Sequence, residues 1–306
     1  MRNSVFSRRT LSLIACGIVL SGTFFASERN VVFRESWNTA EIHEISTELS
    51  SEELEISPIY GDEVTVEISS NNMRKTPEVS FGDGVLSIKS QNKLASFSGL
   101  RIKVKIFIPH GFVPDTINVE TASGDIDVED VSAGTFTVRA ASGSVEIEDV
   151  TVFGEISLRT SSGSVDADNI SASRIDLNSS SGKISIEDSE CEFLYGKTAS
   201  GGISAKEILA DSFEISSSSG GISLSLLNEP KAESEISSSS GKINLRIPRA
   251  AAFSVSVSSV SGNFSDKING DTFRPRGEFH SDYNGGGAEI KLSSTSGGIS
   301  LACSEL

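Results

Sequence analysis

The chain has 306 residues, 42 acidic against 26 basic, and a formal net charge of −16. Such a surface repels nucleic acid and other dense polyanions, while it suits divalent cations and basic partners. Three cysteines in this length are too few for a disulfide framework, and His43, His110 and His280 are too scattered to form a metal-ligand motif.

Residues 1–27 read as a targeting segment. Arg2, Arg8 and Arg9 precede a mostly apolar run from Thr10 to Ala26. That pattern suits a cleaved secretory signal first, and an uncleaved N-terminal membrane anchor second. A lipoprotein reading also stands, since Leu13-Ile14-Ala15-Cys16 looks like a lipobox. It is weakened by the short distance from Arg9 to Cys16 and by the apolar run that continues beyond the cysteine. Ser7-Arg8-Arg9 hints at a twin-arginine signal, which Ser12 spoils. Every version exports the protein to the periplasm, cell surface or medium. Losing the three arginines with the segment brings the charge from −16 to about −19.

Residues 28–112 are rich in strand signals without a fixed period. Val64-Thr65-Val66-Glu67-Ile68 and Leu100 to Ile106 alternate, and Gly82-Asp83-Gly84 marks a hairpin. Pro109-His110-Gly111 closes the segment. It reads as an N-terminal cap or irregular first coils, with a separate ligand-binding β-domain as the alternative.

From residue 113 to 306 the chain repeats. Within this stretch Ser-Gly occurs nine times, with glycines at 124, 143, 163, 182, 201, 220, 241, 262 and 297; the intervals are 19, 20, 19, 19, 19, 21, 21 and 35 residues. Two residues after each glycine stand Ile126, Val145, Val165, Ile184, Ile203, Ile222, Ile243, Phe264 and Ile299. Seven and five residues before it, most positions are also aliphatic or aromatic. Alternation at period two means strands with one buried face. A near-constant period of about twenty residues means stacked units. We therefore expect an all-β fold, a single-stranded parallel β-solenoid (β-helix) of 19–21 residues per coil. Each coil would turn at Ser-Gly, the glycine taking positive φ. Small hydroxyls at two positions of inward parity, the serine directly before the glycine and the residue three before it (Thr121, Thr160 or Ser179 for instance), would bond to each other and to the bend amides. Nine copies of a serine with no base beside them do not describe a nucleophile. Counted in chain order, Cys191 and Cys303 lie five coils apart, some 25 Å along the stack, so both are expected as free thiols.

The last interval is longer by an insertion, residues 267–287. It concentrates Phe273, Arg274, Arg276, Phe279, His280 and Tyr283 on an acidic protein. Arginine and aromatic side chains dominate binding hot spots, so Arg274, Arg276, Phe279, His280 and Tyr283 are the candidate binding residues. The same loop is also suited to cover the open C-terminal strand edge.

Ile117-Asn118-Val119-Glu120-Thr121-Ala122-Ser123-Gly124-Asp125-Ile126, the later Ser-Gly-x-Ile coils, and Gly285-Gly286-Gly287 before Ile290-Lys291-Leu292 resemble the bacterial putative-adhesin domain family. The resemblance covers roughly residues 40–306 and implies an envelope β-solenoid. It brings no catalytic residues.

One outward column is acidic: Glu129, Asp130, Glu148, Asp149, Asp168, Glu187 and Asp188. Stacked carboxylates suit Ca²⁺, or a solvated turn of mobile side chains. A polysaccharide-active β-helix enzyme would want cations beside carboxylates in a groove, and the regular coils carry few. The functional expectation is an exported, non-enzymatic, adhesin-like binding protein. Its ligand would lie in the envelope, a matrix or a host surface. The alternative is a structural or stress-sensing scaffold that self-associates through its ends or meets a membrane partner.

Overall fold

In a computed structural model of the protein, residues 30–72, 76–91, 101–273 and 278–304 are described. The targeting segment lies outside them, as do Arg274 and Arg276. The described chain is all-β apart from one three-residue 3-10 turn, Thr39–Glu41. Among the described residues no helix is long and apolar enough to cross a membrane.

Each repeat contributes one rung with two arms. The long arm of the first is Thr116–Thr121, and its short arm is Ile126–Glu129. Successive long arms pair in parallel, Ile117 with Phe136 and Phe136 with Ile156. Successive short arms do the same, Ile126 with Val145, Val145 with Val165, and Val165 with Ile184. The column continues through Ile203, Ile222 and Ile243, and all seven side chains are buried. The two arm faces meet in one continuous apolar core. Because side chains alternate, a register equal in every rung puts like against like and excludes water along the whole stack.

The two corners differ, and the difference corrects the sequence reading. None of the nine Ser-Gly glycines has positive φ. What glycine supplies there is room. A Cβ on Gly182 would lie 1.7 Å from the carbonyl oxygen of Gly163, and one on Gly201 would lie 1.9 Å from that of Gly182. The rungs touch backbone to backbone at this corner, so a column of glycines is required whatever the dihedral angles. The residue three before the glycine closes the bend. Its hydroxyl accepts from the glycine N–H at 2.8–3.0 Å at Thr121, Thr160, Ser179, Thr198, Ser217, Ser238, Ser259 and Ser294. The serine directly before the glycine is exposed in every rung and does not share this inward position.

Left-handed backbone occurs at the other corner instead. Asp130, Asp149, Asn169, Asp188 and Glu207 have φ between 49° and 55°. Aspartate and asparagine are the non-glycine residues that tolerate this region best, which gives the acidic column a conformational reason.

The segment before residue 113 contains two more rungs. Glu44–Leu49 and Glu53–Ile59 form one, with Glu52 at the corner in place of glycine; Gly124 abuts the Glu52 carbonyl. Glu52 turns its carboxylate back to accept from the N–H groups of Ser50 and Ser51 at 2.7 and 2.8 Å. Val85–Lys89 and Ile102–Pro109 form the other.

The rungs are not stacked in chain order at either end. The Glu44–Ile59 rung lies between the Val85–Pro109 rung and the Thr116–Glu129 rung. At the far end the last rung, Ala288–Ser294 with Ile299–Cys303, lies between the Gly241 rung and the Gly262 rung. Antiparallel strands then close the outer rungs. Glu63–Ser70 and Glu78–Gly82 do so at the first end, Asp271–Phe273 and Glu278–Tyr283 at the second. Each end thus covers the open edge that a parallel stack would leave. The interposed rung also brings Cys191 and Cys303 one rung closer along the stack, four apart and about 19 Å rather than 25 Å; both remain free thiols, Cys191 buried.

Candidate functional site

The insertion spends its aromatic residues on the core. Tyr283 is buried and stacks on Phe253, ring centroids 4.6 Å apart and planes within 7°. Its hydroxyl donates to Asp266 Oδ2 at 2.8 Å. Burial, then that carboxylate, pushes the phenol above its ordinary range. Asp266 is itself buried, and accepts from the N–H groups of Ile268 and Asn269 at 2.9 and 3.2 Å and from the Asn269 amide at 2.8 Å. Phe279 is half-buried against Phe264 and Phe273, at centroid distances of 5.5 and 4.9 Å. Of the candidate binding residues in the described part, only His280 is exposed. Its Nδ1 meets Ser256 Oγ at 3.2 Å, and its Nε2 lies 3.4 Å from Asp282. The serine hydroxyl is committed to Glu289, to which it donates at 2.7 Å, so this trio is not poised for nucleophilic attack.

The acidic column runs along the left-handed corner. Asp130 faces His110 Nδ1 at 3.4 Å, Asp149 accepts from the Asn169 amide, and Lys206 donates to both Glu187 oxygens at 3.0 and 3.3 Å. Desolvation, followed by the charges of Asp149, Glu129, Asp168 and Glu146, raises the Glu148 carboxyl. A hydrogen bond with Asp188 raises that of Glu207. The residues lie in a ladder one rung apart. Among the described residues, no group of three or more His, Cys, Asp or Glu side chains is arranged to hold a metal ion.

A third surface was not singled out from the sequence. On the outer face of the long arms, Arg174 lies over the Phe193 ring, 4.5 Å from its centroid and 6.0 Å from that of Tyr195. Beside them Arg159 Nη2 donates at 3.1 Å to Asp176, a carboxylate only 6% exposed that also accepts from the Asn178 amide. Arg139, Arg159, Asn178 and Lys197 occupy one outward column on consecutive rungs. The signal was present: Phe193, Tyr195 and Lys197 alternate with the inward Leu194 and Gly196.

Comparison with known proteins follows the architecture. The profile of the family described as Toastrack DUF4097 matches residues 42–302. A solved putative adhesin from Parabacteroides distasonis is 13% identical, with 89% of this chain and 98% of that one aligned at a TM-score of 0.53. A putative adhesin from Bacteroides fragilis is 12% identical over 90% and 98% of the two chains, TM-score 0.45. A putative lipid binding protein from Parabacteroides distasonis is 16% identical over 88% and 96%, TM-score 0.46. The first of these likenesses is one of fold alone. No curated protein matches the chain.

Proposed function

The chain belongs to the Toastrack DUF4097 family, and on that footing we propose that it is an exported cell-envelope protein that binds a partner in the manner of an adhesin. In this reading the molecule is one continuous β-solenoid with parallel coils of 19–21 residues, and residues 1–27 deliver it across a membrane. The observation that carries the proposal is the outer face of the long arms. The core columns are uniform from rung to rung, whereas the outward positions change and hold arginine and aromatic side chains in fixed places. A rigid lattice with variable outward residues serves recognition without requiring a cavity. The names of the solved neighbours agree with binding rather than catalysis.

The test has two arms. Protease treatment of intact cells should cleave the protein if it is surface-exposed. Purified full-length protein should be retained on immobilised envelope or matrix fractions. Protection from protease together with no retention would overturn the reading.

A further inference from the structure

We infer that the outer face around Tyr195 is a binding site for a linear anionic polysaccharide carrying a carboxylate on its sugars, a uronan. The inference rests on the binding role proposed above and names its site and ligand class.

Three features of the patch point to this chemistry. The first is an aromatic platform of Phe193 and Tyr195 on one strand, with Arg174 held against it by the Phe193 ring. Aromatic faces accept the C–H face of a sugar ring, and a guanidinium on such a face stays planar and ready to grip a carboxylate by two parallel hydrogen bonds. The second is a built polar floor. Asp176 is buried between Arg159 and Asn178 and pairs in register with Tyr195. It fixes the Arg159 guanidinium while leaving that side chain half exposed. An oriented guanidinium and a neighbouring carboxamide supply directional contacts to carboxylate and hydroxyl groups at little cost in side-chain entropy. The third is the column itself. Arg159 and Lys197 stand on a single line with Asn178 between, rungs about 4.8 Å apart; Arg139 on the preceding rung is paired with Glu120 at 3.3 Å, and Glu155 and Glu214 flank Arg174 and Tyr195 in register. That spacing is close to the advance of one sugar ring. Beyond Lys197 the same column continues as Ser216, Ser237 and Ser293, which line a shallow groove. Cations therefore give way to hydroxyls along one track, which suits a chain of rings bearing both carboxylates and hydroxyls.

The face is open and flat, so it suits a polymer laid along the stack rather than an enclosed small molecule. Nucleic acid also stacks on aromatic rings and pairs with arginine. As a duplex it carries a far denser charge, about one per 1.7 Å of axis, which a protein with net charge −16 repels over long range; a single strand, with one phosphate per nucleotide, is nearer to a uronan in density and is separated from it by the titration below. A uronan, with one charge per sugar, meets the local cations with less of that repulsion.

The experiment is calorimetric titration of the full-length protein with hexagalacturonate, its fully methyl-esterified form, and an oligodeoxythymidine of similar length. The acid form should bind, and esterification, which keeps the rings and removes the charges, should weaken binding by about tenfold or more. Tyr195→Ala and Arg174→Gln should each weaken it by a similar factor with melting unchanged. Lys197→Ser, which installs the residue of the next rungs, should weaken it several-fold and serves if the others fold poorly. No binding of the acid form, equal binding of acid and ester, indifference to all three variants, or tighter binding of the oligodeoxythymidine would each overturn the assignment. Retention on envelope or matrix fractions that persists in Tyr195→Ala, with hexagalacturonate inert, rejects this site and leaves the wider binding role standing.

Discussion

Replacing Gly182 by alanine tests the reason for the glycine column. The added Cβ would lie 1.7 Å from the Gly163 carbonyl oxygen, 2.5 Å from its carbon and 3.0 Å from the Ser164 nitrogen. All three are backbone atoms and cannot turn away as a side chain could. To reach contact distance the rungs must part locally by roughly 1.5 Å. That separation strains the Ser181 N–H bond to the Ser161 carbonyl at 3.1 Å and the bond that the Ser179 hydroxyl donates to the Gly163 carbonyl at 3.3 Å. Two hydrogen bonds at about 1 kcal/mol each, with an overpacking cost of 1–3 kcal/mol, amount to about 3–5 kcal/mol. In a protein of this size that lowers Tm by on the order of 10 °C. Gly196→Ala is the matched control, because its Cβ would meet only side-chain carbons of Ile215 and Ile203, at 3.6–3.7 Å. It should stay within about 1 kcal/mol of the parent and gain from lower chain flexibility. Far-UV circular dichroism during thermal melting measures both. If Gly182→Ala melts with the parent, or both variants fall equally, close backbone approach is not why glycine occupies the corner.

Tyr283→Phe removes the donor to a buried carboxylate and should cost about 1.5–3 kcal/mol, read by urea titration. The folded-state phenol sits above its ordinary value of 10.0, so the unfolded chain deprotonates first; stability should fall as pH rises past about 10, and less steeply in Tyr283→Phe. Burial, with Asp211 and Glu190, pushes the Cys191 thiol up to about 12, so iodoacetamide should label it in the native protein far more slowly than Cys303, and urea should abolish the difference. Glu148→Gln should raise Tm slightly at neutral pH by relieving the like charges around it, an advantage that shrinks as the pH falls through the carboxylate range and Glu148 itself protonates. Since the ladder carboxylates do not converge in threes, millimolar CaCl₂ should shift Tm no more than NaCl of equal ionic strength; a larger calcium effect, lost in Asp149→Asn, would show chelation.

The inward columns were legible because strand alternation is strictly two-fold, and a bend of constant length carries that parity from arm to arm. Ile126, Val145, Val165 and Ile184 could be aligned by counting from a glycine, and the all-β class followed. The bonding of Thr121, Ser179 and their equivalents to the bend was legible for the same reason. Backbone conformation was not. Glycine is permitted both by positive φ and by close approach, and a single chain does not distinguish them; the aspartates at the opposite corner carried the left-handed turn. In the insertion, Tyr283 and Phe279 read as binding residues because aromatic composition is the same for a hot spot and for a cap. Only the position of Asp266 and Phe253 turns Tyr283 inward.

Repeat identity also hid the order of the rungs. Ser234, Val255 and Ile290 stand at equivalent inward positions, and any of these rungs fits any neighbour. The local pattern therefore determined what each rung looks like and left their permutation open. Tertiary structure decided it, by placing the final rung between two others and laying Asp271–Phe273 and Glu278–Tyr283 across the outermost one, where exposed backbone edges would otherwise remain unpaired.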